Sequence, residues 1–455
     1  MEQKFNTAVS AKQIQKEMAP GDFELYLYSL RKMAENNLES DRTFMTNLYN
    51  LRAFQYKAAE EMLAHPDQTY ALIVLDFANF KAVNEFCGRD AGDGLLKCVA
   101  DAMRELMDEH TVLSHFRADI FGLLTPFLTK KDLVDIVVQL NSRIRAHKIA
   151  CRTLPAFGIC IADSPMMSIS LMRDYATMAL NTIKGKFYAT YAFFDEEMRH
   201  RMMLDKLIEN DIADALEQHQ ICLYIQPKIN MTNGCIIGGE ALVRWNHPTR
   251  GLVAPAEFMP VLEKNGLVID LDIYIWSEVF RLIGRRLKEG KPVVPISVNI
   301  SRMHIFDPSF RERLLYLAHT YDVPLEYVPL ELTESGFLED ADTMYDHMKY
   351  LKQHGFLLSM DDFGTGYSTI TMLKDQPVDE IKLDRSFITD LDNPKTRSVL
   401  SHTLDMLHDL NFQIIAEGVE DVSQQDFLLS YGCTSAQGFL YYRPLPAAEF
   451  EALLK

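Results

Sequence analysis

The spacing of apolar positions changes near residue 200 and divides the chain. Between about residues 41 and 195, helical and strand patterns alternate in irregular order. Tyr70–Asp76 (YALIVLD) is a nearly unbroken apolar run, the pattern of a buried strand. Gly92–Met107 spaces its apolar residues as an amphipathic helix. Val112–Phe116 and Phe121–Thr125 predict a β-hairpin turning at Arg117–Ile120. Ala156–Ala162 predicts another strand and Ser168–Thr182 another helix. Segment 41–197 therefore reads as a mixed α+β domain. Segment 1–40 reads as a polar helical lead-in. Its amphipathic stretch, Phe23–Met33, suits a dimerisation element or a plain surface helix equally well.

Over 205–455 the pattern becomes regular. Strand-like runs occur at Ile221–Ile229, Ile236–Arg244, Val294–Ile300, Val328–Glu334, Phe356–Asp361, Ile381–Asp384, Phe412–Glu417 and Ser435–Tyr441. Helical segments such as Asp270–Glu289, Ser309–Tyr321, Ala341–Gln353, Thr396–Asp409 and Ser423–Leu429 lie between most of them. Strands and helices alternating in this way predict an α/β fold of the TIM-like (β/α)₈ barrel type. The first two strands break the rule. Only a short segment containing the turn Met231–Gly234 (MTNG) joins them. A parallel crossover needs about a dozen residues or more, so these two strands are expected to pair antiparallel.

Barrel enzymes assemble their sites at the C-terminal ends of the strands. Here those ends carry Glu240, Asn299, Glu331, Glu334, Asp361, Asp362, Lys382, Asp384, Glu417, Glu420 and Gln437. One inward glutamate is commonly a salt-bridged structural residue, and one acidic pair before a glycine turn is commonly a solvated cap. Acids and amides on nearly every strand at one end are not explained that way. Hard oxygen donors without Cys or His suit Mg²⁺ or Mn²⁺ and fit zinc poorly. Two such ions bridged by one carboxylate are the usual arrangement for phosphodiester hydrolysis. Asp361 and Asp362 are strand neighbours and should face opposite ways. Both reach the site only if the strand ends there, as the following Phe363–Gly366 (FGTG) suggests. Trp245 and His247 read as packing or capping residues.

Composition narrows the partners. With 46 Lys+Arg against 64 Asp+Glu, the formal net charge is −18, which argues against duplex nucleic-acid binding. That acidity also sits awkwardly with an anionic substrate. No apolar run is long enough to span a membrane, and the N-terminus lacks a secretory signal's apolar core. The 7 cysteines form no CxxC pair. Reduced thiols and a cytoplasmic location are the expectation.

At these strand ends the chain resembles the EAL-domain cyclic di-GMP phosphodiesterases. The namesake triplet is Glu240-Ala241-Leu242. Around it stand Gln226-Pro227, SVNIS (297–301), ELTES (331–335), DDFGTGYS (361–368), IKLDRSF (381–387), AEGVE (416–420) and QGF (437–439), all in one order. The resemblance implies a first metal held by Glu240, Asn299, Glu331 and Asp361. It implies a second held by Asp361, Asp362 and Glu417, with Asp361 bridging. Lys382 resembles the lysine that holds or deprotonates the attacking water, and Gln437 the residue supporting that water and the substrate. Glu334 resembles the glutamate anchoring the DDFGTG loop, and Glu420 a support of the metal shell. Gln226, Leu242 and Arg244 resemble substrate contacts, Arg244 on a phosphate. The implied reaction is in-line attack by water on one phosphodiester of cyclic di-GMP, giving linear pGpG. A homodimer formed through the DDFGTG side is also implied. The competing reading is a nonhydrolytic cyclic di-GMP receptor acting through protein partners.

Segment 41–195 resembles a degenerate GGDEF domain, the fold of diguanylate cyclases. MTNLYNLRAF (45–54) and LDFANFKAVNEFCGRDAGD (75–93) carry the likeness. Asp76 stands at the metal aspartate, Asn84 and Asp93 at guanine-reading positions, and Lys81 and Lys184 at phosphate contacts. The signature turn reads Arg117-Ala118-Asp119-Ile120-Phe121, without its two glycines and with Asp119 as its one retained acid. Asp108–Thr111 stands where an inhibitory RxxD motif would be. No cyclase activity is expected. What is left is a regulatory pocket, with GTP as the candidate ligand, or a scaffold that only dimerises.

Overall fold

A computed structural model describes residues 41–454, except 107, 109, 147–152, 187, 308, 335–340, 365–372 and 374–375. The lead-in, Phe23–Met33 included, lies outside the described residues. The chain forms two compact units, Met1–Leu204 and Asp205–Lys455.

The described part of the first unit runs α1 (Leu51–Ala64), β1 (Thr69–Phe77), α2 (Phe80–Cys87), α3 (Arg89–Leu106), β2 (Val112–Arg117), β3 (Ile120–Phe127), α4 (Lys130–Ala146), β4 (Pro155–Ile161), α5 (Ile169–Ile183) and β5 (Tyr191–Phe193). The sheet order is β2-β3-β1-β4-β5. β1 pairs antiparallel with β3 and β4, while β4 and β5 are parallel. Central β1 is buried from its second residue onward because helices cover both faces. Ala71, Ile73 and Leu75 pack with residues of α3 and α4; Tyr70, Leu72 and Val74 pack with α1 and α5. That two-sided burial is why β1 reads as a continuous apolar run rather than an alternating one. Asn50 caps α1 by accepting from Ala53 N at 2.9 Å, and Ser168 caps α5 through Leu171 N. Each satisfies an orphan helical N–H. Five cysteines (Cys98, Cys160, Cys222, Cys235 and Cys433) are free, but Cys87 is disulfide-bonded, which corrects the expectation of uniformly reduced thiols.

Helix α6 (Glu196–Glu217) leads into the second unit. There follow β6 (Ile221–Asn230), β7 (Ile236–His247), β8 (Gly251–Val253), α7 (Pro255–Asn265), α8 (Val268–Lys288), β9 (Ile296–Asn299), α9 (Phe310–Tyr321), β10 (Leu330–Thr333), α10 (Ala341–His354), β11 (Leu358–Phe363), β12 (Glu380–Leu383), α11 (Pro394–Asp409), β13 (Gln413–Glu417), α12 (Val422–Ser430), β14 (Ser435–Gln437), β15 (Leu445–Pro446) and α13 (Ala447–Leu453). Pairing runs β6-β14-β13-β12-β11-β10-β9-β7 and closes β7 onto β6, forming a barrel with β8 and β15 as extensions. β6 is antiparallel to both β7 and β14, and the other barrel pairs are parallel. The short MTNG connection therefore gives the one reversed strand, as its length requires. Trp245, Phe258, Trp276, Phe280 and Phe310 are fully buried. Trp245 Nε1 donates to Gln220 Oε1 at 3.3 Å, the packing role expected of it.

The hairpin between β2 and β3 turns more tightly than its sequence suggests, with only Ala118 and Asp119 between the strands. Ala118 sits at φ 46°, in the left-handed region that glycine occupies without strain. Ala118→Gly should therefore stabilise the first unit by about 0.5–1 kcal/mol, read as a rise in its urea midpoint. An unchanged or lowered midpoint would contradict the strain.

Candidate active site

The barrel mouth is built around one buried ammonium. Lys382 Nζ lies 3.2 Å from Glu240, 2.7 Å from Glu331, 3.1 Å from Asp361 and 2.7 Å from Glu417. These partners come from β7, β10, β11 and β13, so the lysine on β12 collects four strands. Its side chain is 1% exposed. Burial alone would discharge it, but the surrounding carboxylates hold its pKa well above the usual value.

The carboxylates respond unequally. Glu331 is driven up by burial but more strongly down by Lys228 and Lys382, and its pKa settles at about 2. Lys228 Nζ reaches its other oxygen at 2.8 Å, and also Glu380 at 3.4 Å. Burial, opposed by Lys382 and reinforced by Asp361 and Glu240, raises Glu417 to about 8. Burial likewise raises Glu240, Asp361 and Asp362. Two lysines do not neutralise this many buried acids, so part of the cradle holds protons in the absence of cations.

The acids fall into two overlapping trios. Donor oxygens of Glu240, Glu331 and Asp361 lie within 4.8 Å of one another, and so do those of Asp361, Asp362 and Glu417. Asp361 belongs to both. Asn299 Nδ2 donates to Glu240 Oε1 at 3.3 Å, which turns its amide oxygen away from that contact. Gln437 Nε2 donates to Glu240 at 2.7 Å and to Gln226 at 3.0 Å. Its buried Oε1 has no hydrogen-bond partner among the described residues. An all-oxygen donor set with surplus charge and an orphaned acceptor fits hard divalent cations and their water.

How both aspartates reach one site corrects the expectation that the strand stops at Asp361. β11 continues to Phe363, and its register against β12 shifts between Met360 and Phe363. Asp362 takes φ 55° at this bulge. A bulge re-aims side chains without ending the strand. Asp362 N then donates to Asp361 Oδ1 at 2.9 Å. Gly364 follows at φ 94°, where an added Cβ would lie 2.1 Å from the Phe387 ring, so only glycine fits. Its N–H donates to Glu334 Oε2 at 2.8 Å, which places Glu334 against Gly364 rather than in either trio.

A cavity of about 250 Å³ opens above the trios, lined by Gln226, Leu242, Arg385, Glu420 and Phe439 together with site acids. Arg244 is not among its lining residues. Its guanidinium donates to Val243 O at 2.7 Å and lies 5.6 Å from the Tyr224 ring centre. Asp384 caps a short 3₁₀ turn through Ser386 N at 2.8 Å instead of entering the cradle. Sequence reasoning missed Lys228 and Arg385. The signal for Lys228 was present, because it stands two residues after Gln226 on an alternating strand and so shares its face.

In the first unit, Lys184 makes a short ion pair with Asp76. Burial, then a hydrogen bond and repulsion from Asp76, raise Asp119 to about 6. Asp76 and Asp119 are therefore together. Gly92 admits Asn84, whose Oδ1 lies 2.0 Å from where a Cβ would sit. Asp93 follows on α3, and Lys81 is 91% exposed and paired with Glu85.

Fold and site define a (β/α)₈ barrel with one reversed strand and a carboxylate cradle at its mouth. The EAL domain family model matches residues 209–444, and the chain belongs to that family. The model described as diguanylate cyclase, GGDEF domain, matches 41–186. The chain is 32% identical over 85% of its length to the bifunctional diguanylate cyclase/cyclic di-GMP phosphodiesterase MucR of Pseudomonas aeruginosa, covering 57% of that protein. It is 30% identical over 90% of its length to the cyclic di-GMP phosphodiesterase PdeR of Escherichia coli, covering 63%. The chain thus spans about three fifths of these relatives. Among solved structures, the PaMucR phosphodiesterase in its c-di-GMP complex is 37% identical with TM-score 0.52, covering 54% of this chain and 99% of that one. Among the described residues, no helix is long and apolar enough to cross a membrane.

The raised carboxyls give a testable sign. A cation binds the ionised form, so it must displace the proton that Glu417 keeps below about 8. Mg²⁺ binding should release protons near neutrality, and its affinity should rise with pH and level off above that value. Calorimetry in buffers of different ionisation enthalpy measures this, and pH-independent affinity would contradict it.

Proposed function

We propose that the second unit hydrolyses cyclic di-GMP to linear pGpG with two Mg²⁺ or Mn²⁺ ions. The observation that carries this reading is the pair of carboxylate trios sharing Asp361 on an EAL-family barrel. Glu240, Asn299, Glu331 and Asp361 would hold one ion, and Asp361, Asp362 and Glu417 the other. Such ions neutralise phosphate charge and activate water for in-line displacement.

The chain's own groups do the positioning. Lys382 stays charged because four carboxylates surround it. Neutralising those carboxylates removes the cause and lets the lysine orient a water or exchange a proton with it. Gln437 presents an acceptor without a partner among the described residues beside the Glu240 oxygen it holds. Gln226 and Leu242 line the substrate cavity. Arg244, released from the Val243 carbonyl, is the phosphate contact. Glu334 fixes the backbone after Asp362, and Glu420 borders the cavity. The protein acts as a homodimer.

The first unit is a regulatory or dimerisation module without cyclase activity. Its signature turn lacks the glycines that let backbone approach a nucleotide, and Lys184 occupies the Asp76 carboxylate. Asp76, Lys81, Asn84, Asp93 and Asp119 are the candidate GTP contacts.

Purified protein given Mg²⁺ and cyclic di-GMP should release pGpG, resolved by chromatography. Glu240→Ala should lower turnover at least ~100-fold, and Lys382→Met about 10²–10⁴-fold. Ca²⁺ should not support the reaction, since its larger, looser shell suits the cradle poorly. Tight binding without turnover would favour the receptor reading. With GTP alone, no cyclic di-GMP should form, and its appearance would overturn the assignment of the first unit.

A further inference from the structure

A second cluster of metal-type donors lies in the first unit, and its chemistry differs from the barrel's. Glu61 and His65 stand four apart on α1 and at its C-terminal end, a spacing that puts them on one face. His110 comes from the connection between α3 and β2. His110 Nδ1 lies 3.1 Å from Glu61 Oε1, and His65 Nε2 lies 3.6 Å from the same oxygen. All three donor atoms fall within 4.8 Å of one another. Two ligands bonded at about 2.0–2.1 Å to a tetrahedral ion stand about 3.3 Å apart. The two measured separations bracket that edge.

We propose that Glu61, His65 and His110 form a binding site for a divalent transition-metal ion, with Zn²⁺ favoured by the donor set. Two imidazoles and a carboxylate are borderline ligands that select Zn²⁺ and its first-row neighbours over Mg²⁺. The two rings meet edge to face, with centres 4.9 Å apart at 81°. The side chains are 20%, 40% and 38% exposed, so an ion can enter and water can complete its shell.

Neighbouring groups hold the donors in place. Tyr70, at the base of β1 and 1% exposed, points its hydroxyl to Glu61 Oε1 at 3.3 Å. Asp108 accepts from His110 N at 3.1 Å and from Thr111 Oγ1 at 2.8 Å, fixing the connection that carries His110. Such supporting hydrogen bonds orient metal ligands. An ion here ties the end of α1 to the entry of β2, inside the first unit and on donors distinct from the barrel's carboxylates.

The test is titration of the full chain with Co²⁺ under saturating Mg²⁺, which occupies the oxygen-only cradle. Visible d–d absorption saturating at one equivalent is expected, with Zn²⁺ displacing it and raising the melting temperature. His110→Ala and His65→Gln should each weaken Co²⁺ at least about tenfold. The glutamine keeps a hydrogen-bonding amide near Glu61 but supplies no imidazole, so it separates ligation from folding. Glu240→Ala should leave the spectrum unchanged. Absence of d–d bands, or bands that persist unaltered in the doubly substituted His65→Gln/His110→Ala chain, would overturn the proposal.

Discussion

The second unit depends on how one buried ammonium holds together carboxylates that would otherwise repel. Lys382 contacts acids from four strands, and each acid alone would be costly to bury ionised. The lysine lowers that cost without matching the charge. Lys228 meets Glu331 and Glu380 from the reversed strand β6 and adds a second cation. Glu331, held by both lysines, is the acid that stays firmly ionised; Glu417, held by one, does not. This gradient follows from strand placement. A rigid barrel fixes the separations, so the carboxylates cannot relax apart, and the remaining compensation must come from protons or cations.

The reversed strand contributes more than closure. Because β6 runs antiparallel to β7, Gln226 stands directly across from Glu240, and alternation carries Lys228 to the same face. Gln226 passes its contact to Gln437 on β14, the strand on its other side. One strand therefore links both ends of the strand order through the site. A parallel strand joined by so short a turn could not be built.

Much of this was legible in the sequence because barrel strands are short and their ends are chemically conspicuous. The acids, the lysine and the reversed pair could all be read from residue type, period and connection length. The bulge at Asp362 could not. Strict alternation separates Asp361 from Asp362, and the only local device that unites them is a left-handed residue within a strand. Aspartate tolerates that conformation but does not announce it. The Glu61, His65 and His110 cluster was invisible for a different reason: its members are ordinary surface residues in separate elements, joined only by the packing of α1 beside β2. Cys87 was read as a thiol because isolated cysteines without CxxC spacing carry no sign of their pairing.

The net charge of −18 ceases to be a puzzle when the acids are sorted by what surrounds them. A carboxylate exposed at the surface is screened within about 10 Å and hardly affects a distant anion. The cradle acids are buried, close together and short of cations, so their charge is concentrated at the barrel mouth and screened less than charge on the surface. Under the proposed reading, divalent ions in that mouth would turn it from repelling a phosphate to attracting it. In the first unit, Lys184 already answers Asp76, and Asp119 is the acid whose pKa rises. A carboxylate pair with its own lysine has less surplus charge to offer a cation than four carboxylates around Lys382, only one of which also meets Lys228. By this electrostatic criterion, the two units are unequal in the demand for divalent ions that phosphoryl chemistry requires.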